Sequence, residues 1–343
     1  MKNKEFGSDF HYVNNEEYQL VNSSFNFFDR TEQFYFSGRV ALRVILSNGI
    51  EKYSWKKIYI PTYYCHEVYH FLEDLDIEFE FYECNPIYNK IPDSIHDDNK
   101  NVLLCVNYFG IQSADFSHFE NIIKIEDLTH NLELMNQSKA DYIFGSLRKV
   151  LPIPVGGFVK SKKKLPEILT TLFAEEVAQE KFSGMLLKKK YLEGSFTEKE
   201  IFRNLLISAE QSFENHDTYS LLPFAVKDYL LRLDISKIIE SKKNNSLLIK
   251  MRLKENKKFE LITIASNSEY ALILKFNNKE ERDELKKYLI LQKIYPMVLW
   301  PHQLNTNDIE IENTLLFVHI DFRYSSDDIN YIIDSINQFN CNV

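Results

Sequence analysis

Cysteine is scarce in this chain. Cys65, Cys84, Cys105 and Cys341 are widely separated, with neither the paired spacing of a zinc site nor the dense framework of a small secreted domain. They are expected to be reduced and structural, and no metal is expected. Glycine and proline are also sparse, at 9 each in 343 residues, and no repeat or low-complexity linker is present. No uninterrupted apolar run approaches a membrane span, and Met1-Lys-Asn-Lys-Glu-Phe-Gly-Ser-Asp9 lacks the apolar core of a signal peptide. The expected location is therefore the cytoplasm, away from any membrane. Positive charge is in deficit too: at a net charge of -9, with lysine and arginine scattered among acidic residues, the basic stripe of a nucleic-acid groove is missing. The short clusters Lys162-Lys-Lys164 and Lys188-Lys-Lys190 read as solvated helix faces.

A hydrophobic content of 44% is enough to pack a large domain and a smaller one. Between residues 58 and 159, apolar runs alternate with helix-like stretches. Ile58-Tyr-Ile-Pro61, Ile77-Glu-Phe-Glu-Phe-Tyr82, Asn101-Val-Leu-Leu-Cys-Val-Asn107, Ile122-Ile-Lys-Ile-Glu126, Tyr142-Ile-Phe-Gly145 and Gly157-Phe-Val-Lys160 read as short strands. Helices are predicted over residues 38–47 and 67–75, giving an α/β fold with a doubly wound sheet covered on both faces. The chain then turns helical over 165–215 and again over 222–252. Strands at 259–264, 270–276, 294–299 and 315–320, with helices at 279–292 and 326–339, predict a small α/β domain. The expected division is 1–235, a large domain with an N-terminal arm, and 236–343, the small one.

In open α/β sheets ligands bind outside the carboxyl ends of the strands. Asn107, Asp127 and the turn Ser146-Leu-Arg-Lys149 fall there in this pattern. A lysine whose positive neighbours and burial lower its pKa has a free lone pair for a Schiff base with an aldehyde, and Arg148 is such a neighbour. Pro152, Pro154 and Gly156-Gly157 stiffen and turn the loop after Lys149. Phe36-Ser37-Gly38-Arg39 precedes a helical pattern, where backbone N–H groups and a serine hydroxyl can hold a phosphate or simply cap the helix. Asp127 and His130, in Ile-Glu-Asp-Leu-Thr-His, follow a strand; either can be a turn residue or a functional one. The Ser-x-x-Lys spacing also occurs in penicillin-binding proteins, but their later Lys-Thr-Gly and Ser-Asp-Asn elements are missing.

The segments Phe36-Ser-Gly-Arg-Val-Ala-Leu42, Ile60-Pro-Thr-Tyr-Tyr-Cys65, Val106-Asn-Tyr-Phe-Gly110, Ile125-Glu-Asp-Leu-Thr-His130, Ser146-Leu-Arg-Lys149 and Gly156-Gly157 occur in the order found in fold-type I pyridoxal-phosphate (PLP) enzymes. Together they resemble the DegT/DnrJ-like aminotransferases of sugar and polysaccharide biosynthesis, from about residue 34 to 160 and more loosely beyond. That resemblance implies an aspartate-aminotransferase-like large domain and a homodimer. It implies an enzyme in which Lys149 is covalent anchor and acid–base, while Asp127 pairs with the ring nitrogen. Ser37, Gly38 and Ser146 would hold the phosphate, with Arg39 also at the cofactor, His130 near the ring's oxygen side and Tyr64 or His66 on its face; Asn107 would touch the ring or the substrate, or serve as a strand-end hydrogen-bonding residue. Tyr108 and Arg323 would touch substrate, Arg323 by gripping a carboxylate with its fork; pairing of Arg323 with Asp321 or Asp327 is the alternative. The reaction expected is transfer of an amino group from an amino acid such as glutamate to a keto group on a sugar, nucleotide-linked or not.

Many sugar aminotransferases place a histidine between the serine and a more distant lysine, followed by a Gly-x-Asn-x-Arg stretch. This chain has neither, and only Arg203-Asn204 or Tyr219-Ser220 is loosely similar to the latter. A PLP lyase, decarboxylase or dehydratase would need the same lysine and aspartate, and a non-catalytic member of the fold would retain the architecture alone.

Overall fold

The structure, a computed structural model, describes all residues except 1–3, 8, 14–17, 19–26, 30, 255–256, 263–269 and 342–343. The chain forms two compact units. The larger comprises Asp9–Tyr108 and Ser113–Ile235; the smaller comprises Phe109–Gln112 and the chain from Ser236 onward, together with a short N-terminal piece carrying β1 (Phe6–Gly7).

The larger unit is built on a seven-stranded sheet in the order β2-β8-β7-β6-β5-β3-β4. Its strands are β2 (Glu32–Tyr35), β3 (Lys57–Pro61), β4 (Glu78–Tyr82), β5 (Asn101–Val106), β6 (Ile123–Asp127), β7 (Tyr142–Ser146) and β8 (Gly157–Ser161). Strands β3 to β7 are mutually parallel, and β8 runs antiparallel to both β7 and β2. β5 is buried at every position, as a central parallel strand covered on both faces must be, hence its unbroken apolar run. The chain moves outward from β3 to β4 and then returns to the other side of β3 with β5, which makes a topological switch point.

Helix α1 (Gly38–Tyr53) packs on β7 and β8. Val40, Ala41, Leu42, Val44, Ile45 and Leu46 are all inaccessible to solvent, a largely apolar surface that only a core-facing helix can bury. Helix α2 (His66–Leu72) follows β3. Helices α3 (Leu172–Glu193) and α4 (Lys199–Gln211) pack closely against each other, and α5 (Phe224–Leu231) follows.

The smaller unit holds a three-stranded antiparallel sheet in which β10 (Leu272–Phe276) lies between β9 (Phe259–Leu261) and β12 (Leu315–Val318). β1 pairs in parallel with β11 (Ile294–Tyr295). Helices α6 (Ile235–Arg252), α7 (Lys279–Leu291), α8 (Thr306–Thr314) and α9 (Ser326–Cys341) complete it. Ile329, Ile332, Ile333 and Ile336 of α9 form one apolar stripe packed with Leu274, Leu285, Leu289 and Leu316.

The expected α/β class is the observed one. Departures are local. The single helix expected over 222–252 is broken into α5 and α6 by a turn at Arg232-Leu233-Asp234. The strand expected over 294–299 is two residues long, and beyond it only Met297 pairs with Phe317. β2 and α8 carry no pattern that announces them. Part of the strand expected over 259–264, Thr263 and Ile264, lies outside the described residues, as does the extreme N-terminus. The two lysine clusters differ: Lys162-Lys-Lys164 is exposed as expected but follows β8 instead of lying on a helix, whereas Lys188 is 4% exposed, its amine donating to the Asp9 carbonyl at 2.6 Å. Among the described residues no helix is long and apolar enough to cross a membrane, and no group of three or more His, Cys, Asp or Glu could hold a metal ion.

Candidate active site

Because β3, β5, β6 and β7 are parallel, their carboxyl ends share one edge of the sheet. Antiparallel β8 starts at that edge, with Gly157 opposite Ser146, and β2 ends there, with Tyr35 opposite Gly157. Topology thus gathers residues 37–39, 63–66, 107–108, 127–130 and 146–149 at one place, although they are far apart in sequence.

One side of this edge is a cradle of backbone. Ser37 caps α1 from an extended conformation, its hydroxyl accepting from the Val40 N–H at 3.3 Å, so the free N–H groups of the first turn face outward with the helix dipole behind them. A Cβ on Gly157 would lie 2.3 Å from the Ser37 carbonyl carbon and oxygen and 2.5 Å from the Gly38 nitrogen. A Cβ on Gly38 would meet Ser146 at 3.1 Å. The Ser146 N–H donates to the Thr129 hydroxyl at 2.9 Å, which ties the end of β7 to the turn after β6. Substituting Gly157 with alanine forces backbone against backbone, with no flexible side chain to yield. A loss of about 1–3 kcal/mol is expected for such overpacking, seen as a lower urea midpoint at unchanged m-value.

Asp127 ends β6, and successive strand residues face opposite sides. Glu126 therefore points away, where the Ser138 hydroxyl donates to it. Asp127 is 7% exposed; its Oδ2 accepts from the Tyr64 hydroxyl at 2.6 Å and its Oδ1 from the Thr129 N–H at 2.9 Å. Burial raises the Asp127 carboxyl above its ordinary value, while the donors from Thr129 and Tyr64 pull it back down. Removing the phenol by Tyr64→Phe should raise it further. A hydrogen bond to a charged group is worth about 1.5–3 kcal/mol, so the Asp127 midpoint should climb by about one to two pH units. Carboxyl carbon chemical shifts followed through a pH titration check this.

Lys149 closes the turn Leu147–Lys149 that follows β7. Its side chain is exposed to solvent. The pKa falls to about 8, first because of the adjacent Arg148 guanidinium and then through desolvation. The Arg148 side chain is 8% exposed. It grips Glu210 with two prongs, Nη2 to Oε1 at 2.7 Å and Nη1 to Oε2 at 3.0 Å, and stacks 4.1 Å from the Phe213 ring. Lys181, from α3, donates to the same carboxylate at 2.7 Å.

The remaining expected residues are placed as follows. Asn107 is fully buried; its side-chain nitrogen donates to the Ser113 hydroxyl at 3.2 Å, and its Oδ1 has no hydrogen-bond partner among the described residues. The Tyr64 hydroxyl is the one that donates to Asp127. His66 opens α2 half-buried, its ring 5.3 Å from that of Tyr69. Arg39 is paired with Glu67 at 2.7 Å, and His130 is 7% exposed in the turn after β6. Two of the expected residues are engaged within the protein. Tyr108 has no surface for a substrate: it is fully buried and its hydroxyl donates to the Tyr63 carbonyl at 2.7 Å. Arg323, in the smaller unit, is held by Asp321, with its Nε 2.9 Å from Oδ2, and both side chains are 7% exposed. A guanidinium that deep needs a counter-charge, and the aspartate two residues earlier supplies it. Thr129, Lys181 and Glu210 were not anticipated; the threonine of Asp-Leu-Thr-His was the one readable hint.

No family model matches the sequence, and neither does any curated protein. Solved structures do match. One is a sugar aminotransferase described as putative, Spr1654 from Streptococcus pneumoniae, at 11% identity and a TM-score of 0.62 over 98% of both chains. Another is Helicobacter pylori PseC, an aminotransferase involved in the biosynthesis of pseudoaminic acid, at 12% identity and a TM-score of 0.62 over 99% of this chain and 100% of that one. The sugar aminotransferase CalS13 from Micromonospora echinospora matches at 9% identity and a TM-score of 0.57, over 90% and 87%. At these identities the likeness is one of fold.

Proposed function

We propose that this chain, which has the fold of the sugar aminotransferases, is itself a PLP-dependent aminotransferase. It would pass an amino group from an amino acid such as glutamate to a keto group on a sugar or related metabolite of surface-glycan biosynthesis. The observation that carries this is the convergence, on one sheet edge, of a backbone anion cradle, a buried carboxylate and an amine of lowered pKa.

These three elements fit the three handles of the cofactor. The N–H groups at the start of α1, with Ser37, Gly38 and Ser146, suit a phosphate. Asp127 suits a protonated ring nitrogen: an ionised carboxylate offers about four acceptor positions, and Tyr64 and Thr129 use two. Lys149 suits the aldehyde carbon, and the unpartnered Asn107 Oδ1 offers a further acceptor at the same strand edge. When bound, PLP supplies an electron sink that stabilises a carbanion at the substrate carbon. The protein supplies the rest. Asp127, whose ionised form its two donors favour against burial, would hold the proton on the ring nitrogen, and Lys149 would take and return the proton at the substrate carbon through its Nζ. A homodimer in the cytoplasm belongs to the same proposal, with sedimentation velocity as its check.

The full-length protein should show visible absorbance that borohydride abolishes, with the cofactor's mass retained on the peptide containing Lys149. Glutamate should convert the cofactor to its amine form and release one equivalent of 2-oxoglutarate. Absence of both signals would overturn the proposal; a trapped cofactor without 2-oxoglutarate would overturn the choice of glutamate.

A further inference from the structure

The turn after β6 lies across the end of β7. The Leu128 N–H continues the sheet by donating to the Phe144 carbonyl at 2.9 Å. Thr129 then passes so close over Gly145 that a Cβ there would lie 3.0 Å from the Thr129 nitrogen and 3.2 Å from its Cα. Half-buried at this crossing, Thr129 makes two hydrogen bonds to different strands. Its N–H turns back to Asp127 Oδ1 at 2.9 Å, the local turn that an aspartate side chain favours two residues on. Its hydroxyl accepts from the Ser146 N–H at 2.9 Å. On the β8 side Ser146 is still in register opposite Gly157, whereas on the β6 side the register ends at Phe144. The Thr129 hydroxyl thus takes the N–H that a further strand residue would otherwise have taken, and a backbone donor in such a place needs an acceptor. A Cβ on Gly38 would lie 3.2 Å from that same Ser146 nitrogen, so the atom held by Thr129 is also the one against which α1 begins.

We propose that Thr129 is a positioning residue that sets the separation between the two ends of the cofactor site. This rests on the reading above, in which Asp127 takes the ring nitrogen while Ser146 and the start of α1 take the phosphate. The ring and phosphate of PLP are joined by a short arm, so both ends are met at once only if the protein holds carboxylate and cradle at one distance. Thr129 is bonded to both sides of that gap, through its backbone to Asp127 and through its side chain to Ser146.

A residue that only supports the cradle changes the affinity of every ligand that uses it. One that sets a separation changes the affinity of a ligand with both handles and leaves each handle alone unaffected. Thr129→Val fills nearly the same space and keeps the N–H to Asp127, but removes the acceptor of the Ser146 N–H. The aligned arrangement then becomes a smaller part of the ensemble, and the apparent affinity for PLP falls by that fraction. About fivefold weaker binding is expected, the equilibrium shift that loss of one net hydrogen bond produces. Thr129→Ser retains the hydroxyl and should bind PLP as the parent protein does.

The measurement is a set of dissociation constants for the full-length protein after hydroxylamine treatment and dialysis to release any carbonyl-bound cofactor. The probes are PLP and pyridoxal, which lacks the phosphate, both followed by visible absorbance, and inorganic phosphate, followed by phosphorus NMR line broadening. The expected result is weaker PLP binding in Thr129→Val, with pyridoxal and phosphate unchanged and Thr129→Ser like the parent. Equal PLP affinity in the parent and Thr129→Val overturns the proposal. So does an equal loss for phosphate or pyridoxal alone, which would make Thr129 a support for one handle, and so does a Thr129→Ser that binds PLP no better than Thr129→Val. Should Thr129→Val fail to fold, Thr129→Ala, which also lacks the acceptor, decides by the same comparison. A parent protein that binds neither PLP nor pyridoxal overturns the cofactor reading and this proposal together, whereas tight PLP binding that no Thr129 variant alters overturns this proposal alone.

Discussion

Replacing Lys149 by alanine is expected to abolish borohydride trapping on the chain and to lower turnover by at least about 10²–10⁴-fold, the span that a positioned acid–base group contributes. The loss should be catalytic rather than structural. Lys149 is not packed in the core: its side chain reaches solvent from a three-residue turn. The charges of Arg148 and Lys181 act against its own, so deleting it relieves repulsion. The urea midpoint of Lys149→Ala should therefore equal or slightly exceed that of the parent protein.

The size of the effect follows from the amine's state. With a pKa of about 8 in place of 10.5, roughly a tenth of Lys149 is neutral at pH 7, against about one part in three thousand otherwise. The Arg148 charge and desolvation together thus raise the nucleophilic fraction about 300-fold before any geometric advantage. Lys149→Arg keeps the positive charge but supplies no nucleophile, and should be as inactive as the alanine variant. If either variant retained turnover, the proton carrier would have to be sought elsewhere on the same edge.

How much of this was legible beforehand varied with the range of the interactions. Strands β5 to β7 could be read directly, β5 from the apolar run Val102-Leu-Leu-Cys-Val106 that burial on both faces demands, and β6 from the alternation Ile123-Lys-Ile-Glu126. Their parallel order then sends Asn107, Asp127 and Ser146 to one edge. β2 could not be read: Glu32-Gln-Phe-Tyr35 is four residues of mixed polarity, and its pairing with β8 alone makes it a strand. Tyr108 looked available because it follows a strand, yet the hydroxyl of a buried tyrosine needs a partner and found one in the Tyr63 carbonyl. The Glu210 clamp lies 62 residues from Arg148 in a charge-rich helix that reads as solvated. Nothing local distinguishes that glutamate from its neighbours; only the packing of α3 and α4 against the turn after β7 does so.

Asp127→Asn should produce the second large loss, by a different route. The asparagine fills the same space and its carbonyl oxygen can still accept from Tyr64 or Thr129, so the fold should survive. The negative charge is lost, and with it the reason for a proton to remain on a ring nitrogen at this position. Truncating one member of a buried, hydrogen-bonded charge pair costs about 2–5 kcal/mol, which corresponds to roughly a 30- to several-thousand-fold fall in turnover. Cofactor trapping on Lys149 should persist, because the amine and the phosphate cradle are untouched. The pH profile supplies the sharper check. The Asp127 carboxyl must be ionised, and burial raises its pKa against the pull of Thr129 and Tyr64. Activity of the parent protein should therefore fall as pH drops through the Asp127 midpoint, and Tyr64→Phe should move that fall to higher pH. Asp127→Asn has no such group, so its residual activity should lack this acid limb. An acid limb unchanged in Asp127→Asn would assign the titration to another residue and leave the carboxylate without the role proposed for it.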